Sequence, residues 1–133
     1  MIVADVNLIA YFFIEGERTR AAEAVIERDP EWAAPLLWRS EWRNVLAGYL
    51  RRGELDASAA MELIEAAEAL LRGREHLPDA GLVMELVLAS SCSAYDCEYV
   101  ALAEALGLPL VTADARLLAD FPERAISPEA FTG

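Results

Sequence analysis

Residues 93–118 read SAYDCEYVALAEALGLPLVTADARLL. Ser93 opens the segment with a side chain able to cap a helix, and Asp96 three positions on gives a capping-box-like pattern. Tyr99, Leu102, Ala103 and Leu106 then recur at helical spacing until Gly107, a residue that ends helices. Leu108-Pro109-Leu110-Val111-Thr112 is a short apolar run bounded by breakers and reads as a buried strand, after which Asp114 caps a short helix to about Asp120. Helix, strand and helix in direct succession signal a parallel α/β sheet, because parallel neighbours need a crossover connection.

The rest of the chain follows the same grammar. Ile2–Asp5 reads as a strand, and Asn7 to about Arg28 as helix broken by Glu15-Gly16-Glu17 and closed by Asp29-Pro30. Trp32–Leu37 reads as a strand carrying Pro35, and Trp38–Arg51 as a helix ended by Gly53. A helix from Asp56 or Ser58 to about Leu71, a brief strand at Glu75–Leu77, a helix from about Pro78 to Ser90 and an edge strand at Ala125–Ser127 complete the pattern. The apolar faces of 38–49 and 57–71 serve either the core or a partner. With 133 residues and no repeat, linker or low-complexity tract, residues 1–133 are expected to form one domain. Its centre should be a parallel sheet of about four or five strands flanked by α-helices.

Composition excludes several chemistries. The 23 acidic residues face 11 arginines and no lysine, a formal net charge of -12, so no phosphate-binding, Schiff-base or Ser-Lys lysine exists here. A histidine-based triad would rest on His76 alone, beside Leu77-Pro78. The acidic surface disfavours nucleic-acid binding through a basic patch, so any nucleic acid must be held by a metal or a partner. Cys92 and Cys97 are too few for a zinc site and read as buried free thiols. The apolar start MIVADVNLIAYFF carries Asp5 and Asn7 without a basic leader, and the apolar run 82–95 is short and broken by Glu85. The expectation is a soluble, cytoplasmic protein with no membrane association.

In parallel α/β sheets ligands bind beyond the carboxyl ends of the strands. Asp5 closes the first strand, Asp114 follows 110–112, Asp96 lies in the first turn of the preceding helix, and Glu41 lies one turn into the helix after 32–37. Each alone has an ordinary explanation as a cap or a solvated helix residue. Together they suggest a shared cation site, because converging carboxylates repel one another and stay ionised only if cations enter. Oxygen-only ligands select Mg²⁺ or Mn²⁺, one ion or two.

The segments VADVNLIAYFF (3–13), SEWRNVL (40–46) and SAYDCEYVALAEALGLPLVTADARLL (93–118) resemble the PIN domain, and more closely the VapC toxin branch of toxin–antitoxin pairs. The third is the most specific, through its Tyr-Asp, Tyr-Val-Ala-Leu-Ala and Leu-Val-Thr-Ala-Asp elements. The resemblance implies a metal-dependent endoribonuclease that hydrolyses RNA with metal-activated water, leaving 5′-phosphate and 3′-hydroxyl ends. It implies Asp5, Glu41, Asp96 and Asp114 as catalytic metal ligands, and Asn7, Ser93 and Thr112 as supporting polar residues. Ser93 and Thr112 are equally explained as capping and strand-end residues, and Arg116 either touches substrate phosphate or is a solvated helix arginine. A VapB-like antitoxin and a homodimer are the implied protein partners. The alternative is a non-catalytic binding module of the same fold, its acids structural or holding one ion. A phosphoryl-accepting receiver domain is disfavoured by the missing lysine and the missing acid pair after the first strand.

Overall fold

The computed structural model describes residues 1–133. Five short strands are β1 (Ile2–Ala4), β2 (Trp32–Pro35), β3 (Glu75–His76), β4 (Leu110–Val111) and β5 (Ala125–Ile126). Eight helices are α1 (Val6–Phe13), α2 (Thr19–Arg28), α3 (Trp38–Arg51), α4 (Ala57–Leu71), α5 (Ala80–Leu88), α6 (Ala94–Leu106), α7 (Ala115–Asp120) and α8 (Pro128–Thr132). All strand pairs are parallel, in the order β3-β2-β1-β4-β5. In register, Ile2 and Val3 of β1 face Trp32 and Ala33 of β2, while Val3 and Ala4 face Leu110 and Val111 of β4. This is the expected α/β architecture, with five strands.

Every residue of β1, β2 and β4 is buried, so these strands show no polar alternation. That is the pattern of a parallel sheet covered on both faces. Helix α6 packs across β1, β2 and β4 and against α5. It buries Cys97, Tyr99, Val100, Ala101, Leu102 and Ala103, most of its circumference. Its start is fixed by Ser93 Oγ, which accepts from Asp96 N–H at 3.1 Å. Its end is a Schellman turn: Gly107 adopts φ +67°, its N–H donates to Glu104 O, and Leu108 N–H donates to Ala103 O. The turn delivers the chain into β4.

Trp38, Trp42 and Leu46 share one buried face of α3, and α4 buries Ala60, Ala67 and Leu71, so the main apolar residues of both helices belong to the core. The indoles are satisfied, Trp38 donating to Glu75 Oε1 at 2.7 Å and Trp42 to Leu63 O. Arg39 ties α3 to β3 through a forked pair with Glu75 at 2.6 and 2.8 Å, and to α4 through Glu68 at 3.1 Å. One contiguous cluster of 27 buried residues joins the sheet to the helices on it, and it leaves no second core.

Several boundaries differ from the sequence reading. β1 ends at Ala4, leaving Asp5 as the N-cap of α1, and β2 and β4 are shorter than the apolar runs that contain them. Pro35 is tolerated in an interior strand because Ala34 and Leu36 N–H donate toward β3, so the missing Pro35 N–H faces β1, whose pairing has already ended at Ala33. β3 ends at His76, one residue short of the strand expected at Glu75–Leu77. Helix α8, capped by Ser127 with Pro128 in its first turn, was not expected. No helix is long and apolar enough to cross a membrane.

Candidate metal centre

The strand order reverses between β1 and β4, so a crevice opens at their carboxyl ends. Asp5 follows β1 directly, Thr112 follows β4 directly, and Asp114 lies two residues further on. Asp5 is 5% exposed. Its Oδ1 accepts from Leu8 N–H at 2.8 Å, capping α1, and its Oδ2 accepts from the Thr112 hydroxyl in a short hydrogen bond. Thr112 is fully buried, and its Oγ1 also accepts from Asp114 N–H at 3.0 Å, so one hydroxyl joins the two strand ends. Asp114 Oδ1 caps α7 by accepting from Arg116 and Leu117 N–H, both at 2.9 Å.

The other two acids reach the crevice from helices. Asp96 stands in the first turn of α6 and is partly buried. Ser93 Oγ caps its N–H and the Ser93 hydroxyl also steadies the Asp96 carboxylate, but no bond runs from the Ser93 backbone N–H to that carboxylate, so a reciprocal capping box does not form. Glu41, in the first turn of α3, receives the Tyr99 hydroxyl on Oε1 at 2.6 Å. Glu41 also lines a cleft of about 360 Å³ with Val6, Leu37, Ser40, Asn44, Val45 and Tyr95. None of the other three acids lines that cleft.

The charges sense one another. Burial pushes the Asp5 carboxyl up to about 6, against the hydrogen bonds from Thr112 and Leu8, and the negative charges of Asp114 and Glu41 add to the rise. Burial raises Glu41 as well, helped by Asp96 and Glu98. Burial and then Asp114 raise Asp96, which the hydrogen bond from Ser93 and then the charge of Arg116 partly offset. Tyr99, buried beside Glu41, is held well above the usual phenol range and stays a donor. The five ion pairs of the chain involve other residues, so none of the four acids has a cationic partner within 4 Å.

The donor set is all carboxylate and hydroxyl, the chemistry of a hard divalent cation rather than zinc. As placed, no three His, Cys, Asp or Glu side chains stand close enough together to hold an ion between them.

The supporting residues are placed unevenly. Thr112 sits at the centre, bridging Asp5 and Asp114. Ser93 acts as the cap of α6. Asn7 is exposed on α1 and faces a neighbouring groove with Tyr11, Arg18 and Tyr49 rather than the acids. Arg116 is exposed; one guanidinium nitrogen approaches Ser91 O at 3.5 Å, and its charge acts on Asp96. The contact of Tyr99 with Glu41 and the charge of Glu98 near it carry no sequence signal: helical spacing assigns Tyr99 to the core, and nothing local links either residue to Glu41.

A family profile described as PIN domain matches residues 2–123. Ribonuclease VapC3 of Pyrobaculum aerophilum is 32% identical over 127 residues, covering 91% of this chain and 95% of that protein. A crystal structure from the same organism, PAE2754, superposes with a TM-score of 0.77 at 23% identity, covering 98% of this chain and 92% of the other. A toxin–antitoxin complex from Klebsiella pneumoniae contains a chain that superposes at 0.72 and 18% identity, covering 96% and 98%. At those identities the two structures speak for the fold alone.

Proposed function

The chain belongs to the PIN-domain family, and from that premise we propose that it is a VapC-type toxin, a metal-dependent endoribonuclease restrained by a VapB-like antitoxin. The observation that carries the reading is the buried Asp5 at the β1–β4 crevice, electrostatically coupled to Asp114 and Glu41 and lacking any cationic partner. Uncompensated buried charge is costly, and a site that retains it does so for a ligand.

Asp5, Glu41, Asp96 and Asp114 would hold one or two Mg²⁺ or Mn²⁺ ions. When bound, such an ion acts as a Lewis acid toward a phosphodiester and acidifies water beside it. The chain's own contribution is placement. Thr112 fixes Asp5 and the start of α7 with one hydroxyl. The caps at Asp5, Ser93 and Asp114 lock three turns around the crevice. Without cation the acid cluster repels RNA, so substrate and ion enter as coupled ligands. The exposed Arg116 beside Asp96 would meet a substrate phosphate, and cleavage would leave 5′-phosphate and 3′-hydroxyl ends. We place this chemistry in the cytoplasm, where the RNA is. An antitoxin matched to this net charge of -12 would present a basic segment. Second-copy association would cover the exposed Leu77, Met84 and Leu88 on and beside α5.

A non-catalytic PIN-fold binding module is the second reading, favoured by the wide spacing of the acids. Induced expression in growing cells separates the two. The nuclease arrests growth, and Asp96→Asn, folded and equally expressed, does not. Equal arrest by both proteins, or by neither, contradicts the nuclease reading.

A further inference from the structure

The four acids are not held alike. Asp5 and Asp114 accept backbone N–H groups as helix caps, and Asp96 sits on a turn capped by Ser93. Glu41 projects from α3, and the Tyr99 hydroxyl is its one hydrogen-bond partner. We propose that Tyr99 is a positioning residue of the cation site: its hydroxyl pins Oε1 of Glu41 and leaves Oε2 as the oxygen available to a divalent cation. This rests on the metal-dependent reading above.

Two further observations support the role. Tyr99 is 2% exposed, its ring fixed among the core side chains of α6, so the hydroxyl cannot swing away from Glu41. It also lies three residues after Asp96 on the same helix, and positions i and i+3 share a face. One rigid helix therefore supplies a carboxylate to the site and orients a second carboxylate carried by α3. A glutamate has three side-chain torsions to freeze before it can hold an ion, and this hydrogen bond freezes them in advance.

The test is calorimetric titration of Mn²⁺ into the full chain as wild type, Tyr99→Phe, Glu41→Gln and the double variant, with circular dichroism confirming the fold of each. Phe keeps the buried ring and removes only the hydroxyl. Tyr99→Phe should weaken Mn²⁺ binding by about 10- to 100-fold and cause no further loss when Glu41→Gln is already present. A merely structural tyrosine would lower the melting temperature and leave Mn²⁺ affinity unchanged. Equal affinities for wild type and Tyr99→Phe, or the same loss in both backgrounds, overturn the positioning role and leave the nuclease reading standing. A wild-type chain that binds no Mn²⁺ overturns both. Independently of any Tyr99 variant, 3-fluorotyrosine labelling gives the buried tyrosine its own fluorine resonance. Saturating Mg²⁺ should shift that resonance in wild type and not in Glu41→Gln, and an unmoved resonance in wild type overturns the proposal.

Discussion

Replacing Asp5 with Asn should stabilise the metal-free protein. In the folded state the Asp5 carboxyl is raised from an ordinary 3.8 to about 6, so ionising it at neutral pH costs the fold ~3 kcal/mol. The folded state binds the proton more tightly than the unfolded chain. This cost is therefore absent below about pH 4, grows as pH rises from about 4 to about 6, and is complete above that. Asn removes the charge and keeps the carbonyl that accepts from Leu8 N–H. Its amide faces the Thr112 hydroxyl, which must turn from donor to acceptor, a loss of about 1 kcal/mol. The balance is a gain of about 2 kcal/mol above pH 6, a rise in melting temperature of about 6 to 10 °C for a domain of this size. Urea unfolding in EDTA, followed through the fluorescence of the buried Trp32, Trp38 and Trp42, measures it at each pH. The advantage of Asp5→Asn should disappear below pH 4, and Mg²⁺ should narrow it at pH 7.5 by stabilising only wild type. A variant less stable than wild type across the whole range, or a gap that does not change with pH, would refute the reasoning.

Thr112→Val removes the hydroxyl that serves both Asp5 and Asp114, and should destabilise by about 2 to 3 kcal/mol in urea unfolding, whereas Thr112→Ser should cost less than half as much. Arg39 holds the Glu75 carboxyl below its ordinary value, so this pair contributes stability that is complete above about pH 4.5 and is lost as pH falls through the lowered value. Acid unfolding should therefore begin at higher pH once that contribution is removed, and Glu75→Gln should cost about 1 to 2 kcal/mol at pH 7, the pair being partly exposed. If α5 carries a second-copy contact, Leu88→Asp, at a position 87% exposed, should leave the melting temperature within about 2 °C and shift the mass measured by light scattering from dimer to monomer.

The sheet was legible because its strands are short apolar runs set between helix signals, and Gly107 and Ser93 mark the ends of α6 in plain sequence. The positions of Asp5 and Asp114 beyond the carboxyl ends of β1 and β4 were legible because a carboxylate next to a buried parallel strand has a position defined by topology. Pairings between distant elements were not. Tyr99 and Glu41 lie 58 positions apart, and the periodicity that assigns Tyr99 to the core carries no information about where its hydroxyl points. Strand ends were overestimated for a related reason: apolar character continues through Leu36 and Leu37, while the β2 ladder stops at Pro35, whose partner His76 is the last residue of β3. Helix α8 has a recognisable cap and N-terminal proline, but it is five residues long, too short for periodicity to register.

The central claim is that these acids make an RNA-cleaving site. Purified chain should be incubated with total RNA in Mg²⁺, Mn²⁺ or EDTA, beside Asp96→Asn of matched stability, and new 5′-phosphate ends mapped by sequencing. The account predicts discrete ends that require the metal and vanish in the variant. Folded, antitoxin-free protein that yields no new ends in either metal, or ends that persist in Asp96→Asn, would contradict it.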